Sequence, residues 1–151
     1  MKNKSEQNDR QKLEEEDFLK IIEKSNDVFY KQNINTARFE YFSPNLKEVM
    51  GYEVDELYNF SLKKQIEMIH PDDIILLKNF KDELIEADER GENNIERLYR
   101  LKDKNGKYHN IHGKYSLLRD ENNKPISVIG SLKDVTDKKV AEESLEQAKK
   151  T

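Results

Sequence analysis

The sequence predicts an α+β domain with a five-stranded sheet: two strands, then short helices, then three long antiparallel strands. Three observations carry this. Hydrophobic spacing switches from a helical period to strict alternation at Asn94. Two turn signatures, Asp103-Lys104-Asn105-Gly106 and Asp120-Glu121-Asn122-Asn123, divide the alternating stretch into three strands. Apolar residues also concentrate in the middle of the chain. Residues 1–25 hold 13 charged and 6 apolar residues and residues 137–151 hold 8 and 4, whereas the 111 residues between them hold 42 apolar ones. A stretch of that size suffices for one core. The expected organisation is a flanking helix over 1–25, a compact domain over 26–136 and the start of a second helix over 137–151.

The N-terminal flank becomes periodic at Leu13, where Phe18, Ile21 and Ile22 form a narrow apolar stripe behind Glu14, Glu15 and Glu16. Ser25-Asn26-Asp27 breaks it. Val28-Phe29-Tyr30 reads as a first strand and Phe39-Glu40-Tyr41-Phe42 as a second. Ser43-Pro44-Asn45 has the signature of a helix start, with Ser43 as N-cap and proline at the first helical position. Leu46, Val49 and Met50 give the short helix an inner side, and Gly51 stands where a left-handed terminator is expected. Asp55 and Glu56 sit in a further turn that delivers Leu57 to the interior. His70-Pro71-Asp72-Asp73 introduces a longer helix, in which Ile74, Leu77, Phe80, Lys81 and Leu84 keep the helical period until Gly91.

Beyond Asn94, Ile95, Arg97, Tyr99 and Leu101 share one parity. So do Ile111, Gly113, Tyr115 and Leu117 on the next strand, and Ile126, Val128, Gly130 and Leu132 on the last. Asp134-Val135-Thr136 leads into a helix whose Ala141, Leu145 and Ala148 make a thin seam suited to a two-helix contact.

Composition excludes several classes. Lys and Arg total 27 against 31 Asp and Glu, so the net charge is −4, the wrong sign for a general nucleic-acid binder. With no cysteine there is no disulfide framework, thiolate metal site or cysteine nucleophile. No apolar run approaches the roughly 20 residues of a membrane span, and residues 1–25 lack a signal-peptide core. A soluble, cytoplasmic location is expected, with no membrane contact by this segment. His109 and His112 lie three apart on a strand, so they face opposite sides and cannot grip one metal ion together; both are expected at the surface or an edge. Asp72 and Asp73 are expected to cap a helix rather than to form a catalytic pair. No convergent acid, base and oxyanion site can be assembled, so the domain itself is not expected to be an enzyme.

Taken in order, Tyr41-Phe42-Ser43-Pro44-Asn45, Gly51-Tyr52 with Glu56-Leu57, and His70-Pro71-Asp72-Asp73 resemble the first half of a PAS domain. Tyr99-Arg100-Leu101, the Lys102-to-Lys107 turn, Arg119-Asp120-Glu121-Asn122 and Asp134-Val135-Thr136 resemble its C-terminal half, the PAC segment, here about residues 94–136. The resemblance implies a sheet in the order 2-1-5-4-3 with helices over one face. It also implies a sensory or relay role, with a small molecule or partner acting on the inner face and flanking helices passing the change to an output domain, most often a histidine kinase. Two departures stand out. Asn110 occupies a position where many relatives carry tryptophan, and Asn123 replaces the usual turn glycine, a replacement that asparagine's tolerance of left-handed backbone permits.

The candidate ligand pocket comprises Leu77, Phe80 and Leu84 on the helix and Tyr99, Leu101, Ile111, Gly113, Tyr115, Val128, Gly130 and Leu132 on the strands. Gly113 and Gly130 are expected to leave space there. The same residues can also pack as a filled core, which makes a ligand-free dimerisation and relay scaffold the alternative function; Tyr99 or Tyr115 bonded to nothing would favour the ligand. The ligand is unknown. Among relatives, flavin-adduct photochemistry needs a cysteine and is excluded here, and apolar Leu101, Ile111 and Leu132 stand where flavin-binding relatives place amides. His70 precedes Pro71, where a ring hydrogen bond to the backbone is a better expectation than haem ligation. Asp134, Val135 and Thr136 are the expected signal relay. Phe18, Ile21 and Ile22 with Ala141, Leu145 and Ala148 are the expected homodimer contacts.

Overall fold

The computed structural model describes residues 16, 17, 20, 21, 24–92 and 94–150. Its strands are β1 (Asp27–Asn33), β2 (Phe39–Phe42), β3 (Ile95–Lys102), β4 (Tyr108–Arg119) and β5 (Pro125–Asp134). They pair antiparallel in the order β2-β1-β5-β4-β3, so the first strand is central, as the resemblance implies. Between β2 and β3 the chain forms α1 (Leu46–Met50), α2 (Val54–Tyr58), α3 (Leu62–Glu67), a 3-10 helix (Pro71–Leu77) and α4 (Phe80–Glu89). A last helix, α5 (Thr136–Lys150), leaves β5.

The alternation read from sequence places the core. Val28, Tyr99, Leu101, Ile111, Tyr115, Val128 and Leu132 are all buried, facing Leu46, Met50, Leu57, Met68 and Leu84 from the helical layer. Ile126 departs from its parity and is 39% exposed, at the open end of β5 beside the bulge between Leu118 and Arg119. Turn chemistry is as expected: Gly51, Gly106 and Asn123 all take the left-handed conformation.

Three local expectations are corrected. The stretch from Ile74 to Leu84 is not one helix. The 3-10 helix ends at Leu77, Lys78 is extended, and Asn79 is left-handed at φ 61°, so α4 starts afresh at Phe80. Ile74, Ile75 and Leu76 are therefore exposed, while Leu84 and Ala87 point into the core. Ser43 does not cap α1. Its hydroxyl accepts from the Phe29 amide at 2.9 Å and donates to Asn45 Oδ1 at 2.6 Å, tying the loop to β1. A helix unanticipated from the sequence, α3, is capped by Ser61, whose hydroxyl accepts from the Lys64 amide at 3.3 Å.

Candidate functional site

Between the inner face of the sheet and the helices lies a cavity of about 400 Å³. Tyr99, Leu101, Tyr115, Val128 and Leu132 line it from the sheet, and Leu77 and Phe80 from the helical side. Leu84, Ile111, Gly113 and Gly130 do not line it. Leu84 and Ile111 are sealed in the packed core. The glycines are covered: a Cβ at Gly113 would stand 2.2 Å from Tyr115 Oη, and one at Gly130 would stand 2.2 Å from Tyr30 Cε1. The rings of Tyr115 and Tyr30 thus occupy the space that the missing side chains leave.

Much of the wall comes from the first half of the chain. Tyr30, Phe39, Phe42, Met50 and Met68 all face the cavity. The signal was present in the sequence, because Val28 and Tyr30 share a parity on a strand that the fold makes central. Aromatic contacts organise this side. Tyr30 meets Phe39 edge-on with centroids 5.5 Å apart, and Phe39 lies 4.7 Å from Phe42.

Three tyrosines share the inner wall. Tyr99 and Tyr115 satisfy each other through a hydroxyl–hydroxyl bond of 2.7 Å. Tyr30 is 8% exposed, and its hydroxyl makes no hydrogen bond to any described residue. Burial pushes the Tyr99 phenol up to about 12, only partly opposed by its bond to Tyr115. Burial raises Tyr30 and Tyr115 as well, so all three stay neutral at physiological pH.

The rim is polar. Gln32 Nε2 donates to Ala37 O at 2.9 Å and to Gln65 Oε1 at 2.8 Å, and Gln65 Nε2 donates to Ala37 O at 2.8 Å. This small network joins β1, the left-handed Ala37 and α3. Lys81 is the one charged side chain along the cavity wall among the described residues.

At the end of β5, Asp134 accepts from both the amide and the hydroxyl of Thr136, at 2.9 and 2.5 Å. The Thr136 hydroxyl accepts in turn from the Asn110 amide, and the Val135 amide donates to Asn110 O, both at 2.8 Å. The predicted relay residues are thereby pinned to β4. His109 is not at the surface as expected. Its ring lies between two carboxylates, Nδ1 at 2.7 Å from Asp134 Oδ2 and Nε2 at 2.8 Å from Asp103 Oδ2. Burial pulls its pKa down, but the bonds to Asp103 and Asp134 outweigh this and the net shift is upward. Both carboxylates stand below their ordinary value: burial works against this, and bonds to Thr136 and His109 at Asp134, and to His109 and two backbone amides at Asp103, prevail. The carboxylates flank the ring on opposite nitrogens, so the trio forms a clamp and not a convergent ligand set.

Asp73 also departs from expectation. It does not cap the helix that it opens. Its carboxylate takes the Arg100 guanidinium in a fork at 2.8 and 2.9 Å and the Arg100 amide at 2.8 Å, and these bonds hold its pKa at about 2. The cap is the imidazole of His70, whose Nδ1 accepts from the Asp72 amide at 3.1 Å while the ring packs on Tyr108. Of the expected dimer contacts, Phe18 and Ile22 lie outside the described residues. Ile21, Ala141, Leu145 and Ala148 are exposed.

An antiparallel sheet in the order 2-1-5-4-3, helices over one face, a cavity between them and a helix leaving the last strand define a sensory domain of known architecture. The family model described as PAS fold matches residues 39–132, and the chain belongs to the PAS family. No curated protein matches it. A sensory box histidine kinase/response regulator of Burkholderia thailandensis is similar at 25% identity with a TM-score of 0.65, over 88% of this chain and 95% of that one. Two further structures share the fold. The N-terminal domain of a Marinobacter aquaeolei diguanylate cyclase with PAS/PAC sensor is 24% identical with a TM-score of 0.60, over 74% and 97% of the two chains. A domain of a putative light and redox sensing histidine kinase from Haloarcula marismortui is 16% identical with a TM-score of 0.60, over 77% and 95%. Among the described residues no helix is long and apolar enough to cross a membrane.

Proposed function

We propose that this domain is a ligand-responsive input module. A small, mostly apolar molecule occupies the inner cavity, β5 shifts with it, and the Asp134-Val135-Thr136 junction hands the change to α5 and an output domain of the histidine-kinase type. One observation supports this most directly: Leu132 forms part of the cavity wall and lies two residues before Asp134. A change in cavity packing therefore acts one strand turn from the clamp that holds α5. Only an occupant with different affinity for the two arrangements can drive it. The flanking helices would pair two copies, with Ala141, Leu145 and Ala148 as the seam.

The second reading is a filled relay scaffold, favoured by the Tyr99–Tyr115 bond and by the rings that fill the glycine notches. Against it stands Tyr30, which lines the cavity and whose hydroxyl makes no hydrogen bond to any described residue. Native mass spectrometry of the purified protein separates the two. A co-purifying molecule supports the module, and a clean apo mass favours the scaffold. In the full-length protein, Leu132→Gln is expected to change output more than it changes expression; unchanged output would exclude the β5 route.

A further inference from the structure

The cavity wall is mostly apolar, and Lys81 is its one charged side chain among the described residues. Lys81 lies in the first turn of α4, and no carboxylate stands within ion-pair distance of its ammonium among the described residues. Its Nζ has only a 3.4 Å contact with Asn35 Oδ1. The same turn begins at left-handed Asn79, which provides no side-chain cap, so the positive end of α4 is open beside the cavity. Of the acids in that turn, Glu83 is held by Arg97, and neither Asp82 nor Glu83 lines the cavity. Tyr30 also lines the cavity, and its hydroxyl makes no hydrogen bond to any described residue.

We infer that the ligand is an amphiphilic monoanion, its apolar body in the cavity and its carboxylate at the rim against Lys81 and the first turn of α4. This rests on the ligand-responsive reading above and deepens it. Size follows from volume. A cavity of about 150 Å³ takes a benzene-sized guest, so the 400 Å³ here admits a body on the order of ten to sixteen non-hydrogen atoms. The apolar walls supply the affinity and the rim supplies the sign of the head group. A cationic amphiphile would meet Lys81 and the helix end with like charge, and a neutral one would gain a hydrogen bond without the charge attraction.

The test compares three probes of one chain length, decanoate, 1-decanol and decylammonium, by isothermal titration at low salt against the whole chain and its Lys81→Glu variant. Lys81 is exposed, so the variant is expected to fold, and its melting temperature checks this. Decanoate should bind more tightly than decylammonium, by about fivefold or more, with that preference lost or reversed in Lys81→Glu and weakened by added salt. Equal binding of decanoate and decanol, indifferent to Lys81→Glu, would overturn the head-group assignment and leave the ligand-responsive reading standing. Binding of none of the three overturns this inference. If native mass spectrometry then also shows an apo mass, the broader reading falls with it; a co-purifying molecule of another class would sink this inference alone.

Discussion

The cavity and the β5–α5 junction are held together by different forces. Around the cavity the contacts are apolar and non-directional, rings and thioethers such as Phe39, Phe42, Met50 and Met68 whose packing changes shape at modest cost. At the junction every contact has a direction: Asp103, His109 and Asp134 in line, Thr136 on Asp134, and Asn110 bonded to both Val135 and Thr136. Apolar packing absorbs a guest. A chain of short, oriented bonds has few arrangements and cannot absorb a displacement, so it passes one on. Under the proposed function, reception falls to the first region and transmission to the second, along a single strand.

The sharpest way to break that contrast is to harden the soft region. Gly130→Ala puts a methyl 2.2 Å from Tyr30 Cε1 and 2.4 Å from its Cζ. The Tyr30 ring, buried beside Phe39 and Phe42, must move towards the cavity. A loss of about 1–3 kcal/mol is expected from overpacking, together with reduced uptake of any cavity ligand. Urea denaturation measures the first and probe titration the second. A variant of native stability would show that Tyr30 does not fill the notch as described.

Asp73→Asn removes the carboxylate from the Arg100 fork, which lies outside the cavity wall and joins the 3-10 helix to β3. With that carboxyl held at about 2, its contribution is present above the ordinary carboxylate range and is lost as pH falls towards 2. The half-exposed guanidinium tempers the magnitude, and about 1–2 kcal/mol is expected at neutral pH. Probe affinity should be unchanged if the two regions are separable; denaturation and titration on the same sample decide this.

What was legible in the sequence follows the same division by range. Strand parity, the Gly51 and Gly106 turns and the tolerance of Asn123 for left-handed backbone are local properties, and each appears where its spacing places it. The break at Asn79 was hidden because Ile74, Leu77, Phe80 and Leu84 keep a helical period that one left-handed residue interrupts. The glycine notches were misjudged for a related reason. An absent side chain reads as space until pairing shows that Tyr30 lies opposite Gly130. Asp73 meets Arg100 across 27 residues and His109 meets Asp134 across 25, separations at which no local pattern signals a bond. The pocket expected from sequence takes its strands from the PAC half and its roof from Leu77, Phe80 and Leu84, and so omits Tyr30, Gln32 and Gln65, although β1 is the strand between β2 and β5.

The smallest expected effect probes the clamp by pH. Protonated His109 donates from both ring nitrogens, one to Asp103 and one to Asp134; a neutral ring donates from only one and turns a lone pair on the other carboxylate. Because the folded pKa of His109 lies above its ordinary value, its contribution is complete below about pH 6.5 and fades as pH rises through the folded value. Asp103 and Asp134 behave oppositely: their pKa values are lowered, so their contribution is present above the carboxylate range and fades as pH falls through the folded values. The clamp is therefore tightest in mildly acidic solution. Amide exchange at Val135 and Thr136 should quicken, beyond the intrinsic base-catalysed rate, as pH rises from about 6.5 through the folded value of His109. His109→Gln should remove that pH dependence while leaving the cavity-lining amides unchanged. If protection at the junction is flat across that range in the native chain, the His109 bonds do not hold α5 and transmission must run through the backbone pairing of Val135 with Asn110.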